Sequence, residues 1–205
     1  MTRRFFNSET GIWRFFGWVG DIVILSLLWT LFSIPLLTAG ASSTALYDAA
    51  VHSVRRREDS AFERFWRTFR REWKTATLSA LFWAAIAAVP VLLYMLTVRS
   101  APEGQPITLQ SVLFLLLLFL LLCILSWVFP LLSRFTFSFI SLQGTAVRLA
   151  LGQILRSSAI ALLSGLGIWA CLNHVFSVFF APGLIAWLST FLIEPVFLSY
   201  ENPPE

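Results

Sequence analysis

"GQPITLQSVLFLLLLFLLLCILSWVFPLLS", Gly104 to Ser133, runs for thirty residues without a charge. An α-helix needs only about 20 mostly apolar residues to cross a bilayer, so this run reads as a crossing rather than a soluble core helix. Ile22 to Tyr47, Thr75 to Val98 and Ser157 to Ile193 are uncharged in the same way. The last of these, 37 residues, is too long for one crossing, and Pro182-Gly183 divides it as a helix stop followed by a restart. The chain is 58% hydrophobic and 13% charged, with a mean hydropathy of +0.78. A soluble domain carries roughly a quarter charged residues, so a conventional water-soluble globule is excluded. The expected fold is all-α: one polytopic membrane helix bundle over residues 1–205, with crossings at about 22–41, 75–98, 107–132, 157–178 and 182–198.

Ala39-Gly40-Ala41 after an apolar run resembles a signal-peptide cleavage site, but the 21 residues ahead of that run contain Glu9 and Asp21, too long and too acidic for a signal peptide's leading region. Cys123 and Cys171 lie inside apolar runs, where thiols behave as small hydrophobes. Neither a metal site nor a cofactor is expected.

Loop charge orients the bundle, because Lys and Arg near membrane ends favour the cytoplasmic side. Asp48 to Lys74 holds eight of the fifteen basic residues, and Arg134 to Arg156 adds three. Five crossings put both segments inside, with an external N-terminus and a cytoplasmic C-terminus. Arg3, Arg4 and Arg14 sit awkwardly outside in that arrangement. If the chain bends back near Pro35 instead of completing the first crossing, the N-terminus becomes internal and four full crossings remain.

"SAFERFWRTFRREWK", Ser60 to Lys74, has helical spacing. At about 100° per residue, Phe62, Phe65, Trp66, Phe69 and Trp73 share an arc, while Arg64, Arg67, Arg70, Arg71 and Lys74 lie opposite. Ser60 and Glu63 form a capping box. A continuous aromatic stripe is a poor match to nucleic acid, which rewards phosphate contacts and isolated stacking platforms. It suits a cytoplasmic interfacial helix on anionic inner-leaflet lipid, docking on the protein's own crossings, or a partner. Ring burial, about 1.5–3 kcal/mol per ring, should outweigh about 1 kcal/mol per basic residue.

"PLLTAGASSTALYDA" concentrates Pro35, Thr38, Gly40, Ser42, Ser43 and Thr44 at membrane depth. Pro35 cannot donate to the Leu31 carbonyl, so the first helix should break there. Irregular backbone at that depth is either buried or lines water, and the segment reads as a tight turn or as a broken-helix solute site. Glu194, before Pro195, is an ionisable group short of the far boundary of the bilayer core, with Arg134 or His52 as expected partners. Asp21 and Asp48 are expected to mark the ends of the first run, and His174 to be a polar tip near the external interface. Pro90, Pro130 and Pro195 read as kinks, and Ser164 to Gly167 as a small-residue packing face. No phosphate-cradling glycine motif, HExxH or nucleophile elbow is present, which argues against an enzyme.

The stretch from Phe5 to Thr77 resembles the N-terminal half of the YesL-like family of bacterial integral membrane proteins, a domain of unknown function. The residues that carry the resemblance are Asn7, Trp29, Pro35, Thr38, Gly40, Ala41, Thr44 to Tyr47, Phe62, Phe65, Phe69 and Lys74, with "FPLLSRF" (Phe129–Phe135) and "FFAPGLIAWLSTFL" (Phe179–Leu192) as later landmarks. Ser26 stands where the family usually shows Asn, and Ala39 where it usually shows Ile. The resemblance implies a five-crossing protein of the bacterial inner membrane, often encoded beside carbohydrate uptake systems and two-component regulators. The expected role is a non-enzymatic accessory or regulatory protein contacting a transporter subunit or sensor kinase, and self-association is compatible with it. The alternative is a small transporter or channel for an anionic or polar solute, using Pro35 to Thr44 and Glu194.

Overall fold

A computed structural model describes residues 11–100 and 109–201. Helix α1 (Gly11–Ser33) ends two residues before Pro35, and a 3-10 turn at Leu36–Thr38 leads into α2 (Ala39–Ala49). The break satisfies its own backbone. The Thr38 amide donates to the Pro35 carbonyl (2.9 Å), and the Thr38 hydroxyl donates to the carbonyls of Phe32 (2.6 Å) and Pro35 (2.9 Å). These are carbonyls that a helix end otherwise leaves without partners.

The chain then reverses. Ser33 Oγ and Ser42 Oγ are 2.6 Å apart, and Trp29 Nε1 donates to Ser43 Oγ at 3.1 Å, so α2 returns along α1 as a hairpin. The single crossing expected over 22–41 is therefore replaced by α1 and a separate returning helix. The early part of α1 lies beside α7 (Ala181–Glu201), with Trp18 and Trp187 edge to face at 5.1 Å, and the Arg57 charge acts on Asp21. The start of α1 is thus at the end of the bundle where the basic segments gather.

Helix α3 runs unbroken from Ala61 to Ser100, 40 residues or about 60 Å. The aromatic-basic stretch at 60–74 is its first third and not a free-standing surface helix. Ser60 accepts the first helical bond, from the Arg64 amide at 3.0 Å. Helix α4 (Leu109–Arg134) packs against α3, and Arg71 Nη2 reaches the Ser133 carbonyl at 3.4 Å. Helix α5 (Phe139–Gly152) occupies what reads in sequence as a basic connector. Trp83 Nε1 and the Ser79 hydroxyl of α3 bond its Gln143 side chain at 2.7 and 3.0 Å. Helix α6 (Ile154–Asn173) and a 3-10 turn at Val175–Phe179 complete the path to α7.

Among the described residues, five helices are long and apolar enough to cross a membrane: α1, α3, α4, α6 and α7. Their outward faces carry Leu92, Met95, Leu113, Leu116, Leu166 and Leu172, all more than half exposed. So much contiguous apolar surface is unfavourable in water and is expected where lipid is the solvent. The interior is built around Trp127, Leu131, Leu142, Val196 and Phe197, with a second cluster at Leu25, Ala45, Ala49 and Phe65. Trp127 Nε1 finds the Ser157 hydroxyl at 2.8 Å, as a buried indole requires. Of the small-residue face at Ser164 to Gly167, Gly167 packs on the Ile185 side chain whereas Gly165 faces open space.

Candidate functional site

Two buried carboxylates meet the arginines at the basic end of the bundle. Asp48, 1% exposed, closes the last turn of α2. It accepts from Arg64 Nε (2.5 Å) and Nη2 (3.1 Å) and from the Thr68 hydroxyl (2.6 Å), while His52 Nδ1 stands 3.3 Å away. Burial alone pushes this carboxyl up. Hydrogen bonds from His52, Arg64 and Thr68, with the Arg64 charge, outweigh burial and hold it well below the usual carboxylate range. Glu194 of α7, 2% exposed, is gripped by Arg134 through both nitrogens of its fork, and by Arg56 Nη2 at 3.2 Å. Tyr47 donates its hydroxyl to Glu194 from 3.4 Å.

Neither carboxylate would survive so little exposure alone, because desolvation costs several kcal/mol per ion unless opposite charge and hydrogen bonds offset it. Neighbouring residues of one helix, Tyr47 and Asp48, therefore tie α2 to α7 and α4 on one side and to α3 on the other. The backbone after α2 is adapted to this task. Ala50–Arg55 forms a π-helical segment, and Arg57 adopts a left-handed φ of 57°, uncommon outside glycine. The widened turn sends Arg55 and Arg56 both toward α7. Arg55 Nη1 donates to the Thr190 carbonyl at 2.8 Å and its guanidinium lies 4.8 Å from the Phe191 ring centre.

The residues around the helix break gather at the other end of α2. Ser42 and Ser43 pair with Ser33 and Trp29 and also donate to the Ala39 carbonyl (3.0 and 2.8 Å), and Thr44 donates to the Gly40 carbonyl at 3.0 Å. Gly40 presses against α3, where a Cβ would come 2.4 Å from the Ala76 carbonyl oxygen. Pro35 and Thr38 form the turn itself. None of these six side chains is hydrogen-bonded to Glu194, whose contact with α2 is through Tyr47.

The aromatic stripe of α3 divides. Phe65 is fully buried, and Trp66 and Phe69 are half-buried around Phe32, with ring centres 5.0–6.0 Å from it. Phe62 and Trp73 are exposed, at 53% and 48%. Of the basic side, Arg64 turns inward to Asp48, and Arg71 bonds Glu72. Arg67, Arg70 and Lys74 are exposed, with Arg70 4.7 Å over the Trp66 ring. Sequence reasoning singled out Glu194 with Arg134 or His52 as its partner; the structure pairs it with Arg134, whereas His52 faces Asp48. The same reasoning missed the burial of Asp48 and the roles of Tyr47, Arg55, Arg56 and Thr68. The run of three arginines, Arg55 to Arg57, closely following Asp48 was the available signal.

The N-terminus of α7 has a partner from α1. The Gly183 amide donates to Ser26 Oγ at 2.9 Å, while that hydroxyl donates to the Ile22 carbonyl at 2.8 Å. Ser26 thus satisfies an amide that the first helical turn leaves free.

Residues 22–94, which contain the hairpin, Asp48, Arg64 and Thr68, match the family described as "Protein of unknown function, DUF624". Over 209 aligned residues the sequence is 26% identical to "Uncharacterized protein YesL" of Bacillus subtilis (strain 168), covering 97% of this chain and 95% of the relative. The chain is similar to both, over about a third of its length to the first and over nearly all of it to the second. No solved structure matches it. Arg134 and Glu194 lie beyond the matched stretch, and Arg56 lies within it, so the second ion-pair cluster joins that stretch to the C-terminal helices.

Proposed function

We propose that this chain is a non-enzymatic accessory or regulatory protein of the bacterial inner membrane, acting through the exposed face of the first turns of α3. The observation that carries the reading is that Phe62 and Trp73 remain exposed beside Arg67, Arg70 and Lys74, while the rest of the stripe is spent on internal packing. Exposed rings interleaved with arginines are what interface anchors are made of. We read this end as cytoplasmic on the positive-inside rule, and the α1–α2 hairpin supports a start of α1 on the same side as the end of α7. The family resemblance favours a carbohydrate transporter subunit or a sensor kinase as the partner, with anionic lipid around the same face.

A solute pathway through the helix break and Glu194 is the weaker reading. The hydroxyls at Ser42, Ser43 and Thr44 are committed to internal partners, and Glu194 is closed by two arginines. Affinity purification from native membranes in mild detergent separates the two. A co-purifying transporter or kinase subunit, lost when Trp73→Ser and Arg67→Gln are combined, supports the accessory role. Isolation without a partner, together with solute flux in liposomes, would reverse the order.

A further inference from the structure

We propose that the cavity between the end of α4, α5 and the end of α7 holds one anionic glycerophospholipid. The cavity measures about 420 Å³, within the range of ligand pockets, which run from roughly 300 to 1,000 Å³. Its floor is apolar and buried: Leu131, Leu149 and Phe197 are 2%, 7% and 1% exposed. Phe135 and Phe137 add walls. Polar groups occur in the lining as Thr145, Arg148 and Tyr200, and the last two are exposed. An apolar recess with a cationic and hydroxylic lip fits an amphiphile whose charge is an anion adjoining hydrocarbon.

Arg148 distinguishes this cavity from the ion-pair clusters nearby. Arg56, Arg64, Arg71 and Arg134 each bond a carboxylate, whereas no described carboxylate lies within ion-pair distance of Arg148. An arginine left in that condition at a membrane surface suits a phosphate, since its planar fork donates to two phosphate oxygens at once. The surroundings decide the source of the phosphate. Ile140 and Leu151 of α5 and Leu155 of α6 are 82%, 63% and 86% exposed, which puts the cavity among lipid-facing side chains. Acyl chains therefore reach its apolar floor directly, and the anionic leaflet supplies the headgroup.

Native mass spectrometry of the full chain tests this, after exchange into nanodiscs of phosphatidylglycerol or of phosphatidylcholine and release in mild detergent. One retained phosphatidylglycerol per chain is expected, with retention about five-fold above phosphatidylcholine, the factor that one basic group beside an anionic headgroup supplies. Arg148→Gln, on an exposed position, should abolish that preference while leaving thermal unfolding unchanged. Thr145→Phe should fill the recess and lower retention of either lipid. Equal retention of the two lipids, or a preference that survives Arg148→Gln, overturns the proposal. So does a preference that emerges only in the Glu201→Gln, Glu205→Gln variant, because the chain's own acidic end would then be the occupant. Spectra dominated by a dimer without lipid would assign the recess to a second copy instead.

Discussion

Glu194 and Arg134, sixty residues apart, form an ion pair through both nitrogens of the arginine fork, and Arg56 closes the same carboxylate from the opposite helix. Three elements are thereby locked at one point: the π-helical segment after α2, the end of α4, and α7. Removing one partner of a buried pair costs about 3–5 kcal/mol, because the other charge is left without compensation. Glu194→Ala should therefore destabilise the folded chain by about that amount in a detergent unfolding titration. Combining it with Arg134→Met should recover part of the loss, since the orphaned arginine goes too. A double variant as unstable as the sum of the singles would mean that the two residues act independently.

Gly40 and Ala76 set how closely α2 approaches α3. A Cβ on Gly40 would come 2.4 Å from a backbone carbonyl oxygen and 2.7 Å from the Ala80 Cβ, neither of which can swing aside. Gly40→Ala should cost about 1–3 kcal/mol, the usual range for overpacking. Gly165→Ala is the control. Open space surrounds that position, and alanine gains up to about 1 kcal/mol over glycine in a helix, so the same substitution there should be neutral or stabilising. Equal losses at both sites would remove steric closure as the explanation.

The hydrophobic runs and Pro35 were enough to specify membrane helices and the position of the break. They did not specify the direction of the chain beyond the break, because reversal depends on Ser33, Ser42, Trp29 and Ser43 pairing across the turn, and hydroxyls are equally compatible with a bent crossing. The continuity of α3 was legible in principle. No glycine or proline occurs between Ser60 and Val89, and the change from aromatic-basic to apolar composition after Lys74 marks a change of surroundings, not the end of a helix. The burial of Asp48 was missed for a different reason. A carboxylate beside an apolar run reads as a boundary, and only the approach of Arg64 and Thr68 from α3 allows it to be buried.

Acidification should weaken the Asp48 cluster. The folded chain holds this carboxyl below its unfolded pKa of about 3.9, so its contribution is fully present above that value. As the pH falls further, the unfolded state takes up a proton before the folded one does, and the contribution is lost progressively toward the folded pKa. Asp48→Asn lacks this titration. The difference in unfolding free energy between wild type and Asp48→Asn should be constant from about pH 7 to 5 and shrink below about pH 4. A difference that stays level down to pH 3 would show that the carboxylate's charge is not what stabilises the cluster.

The hairpin makes a topological claim that labelling can decide. Cysteines introduced singly at Thr2, Arg57 and Asn202 of a chain carrying Cys123→Ala and Cys171→Ala should all resist a membrane-impermeant maleimide in intact cells. All three should react once the membrane is opened. The physical ground is that α2 turns back beside α1, so the start of α1 and the arginines after α2 occupy one end of the bundle, and clustered Arg and Lys resist translocation. A position 2 that labels from outside while position 57 does not would restore a full first crossing. The pairing of Ser33 with Ser42 would then have to be read as a kink within it.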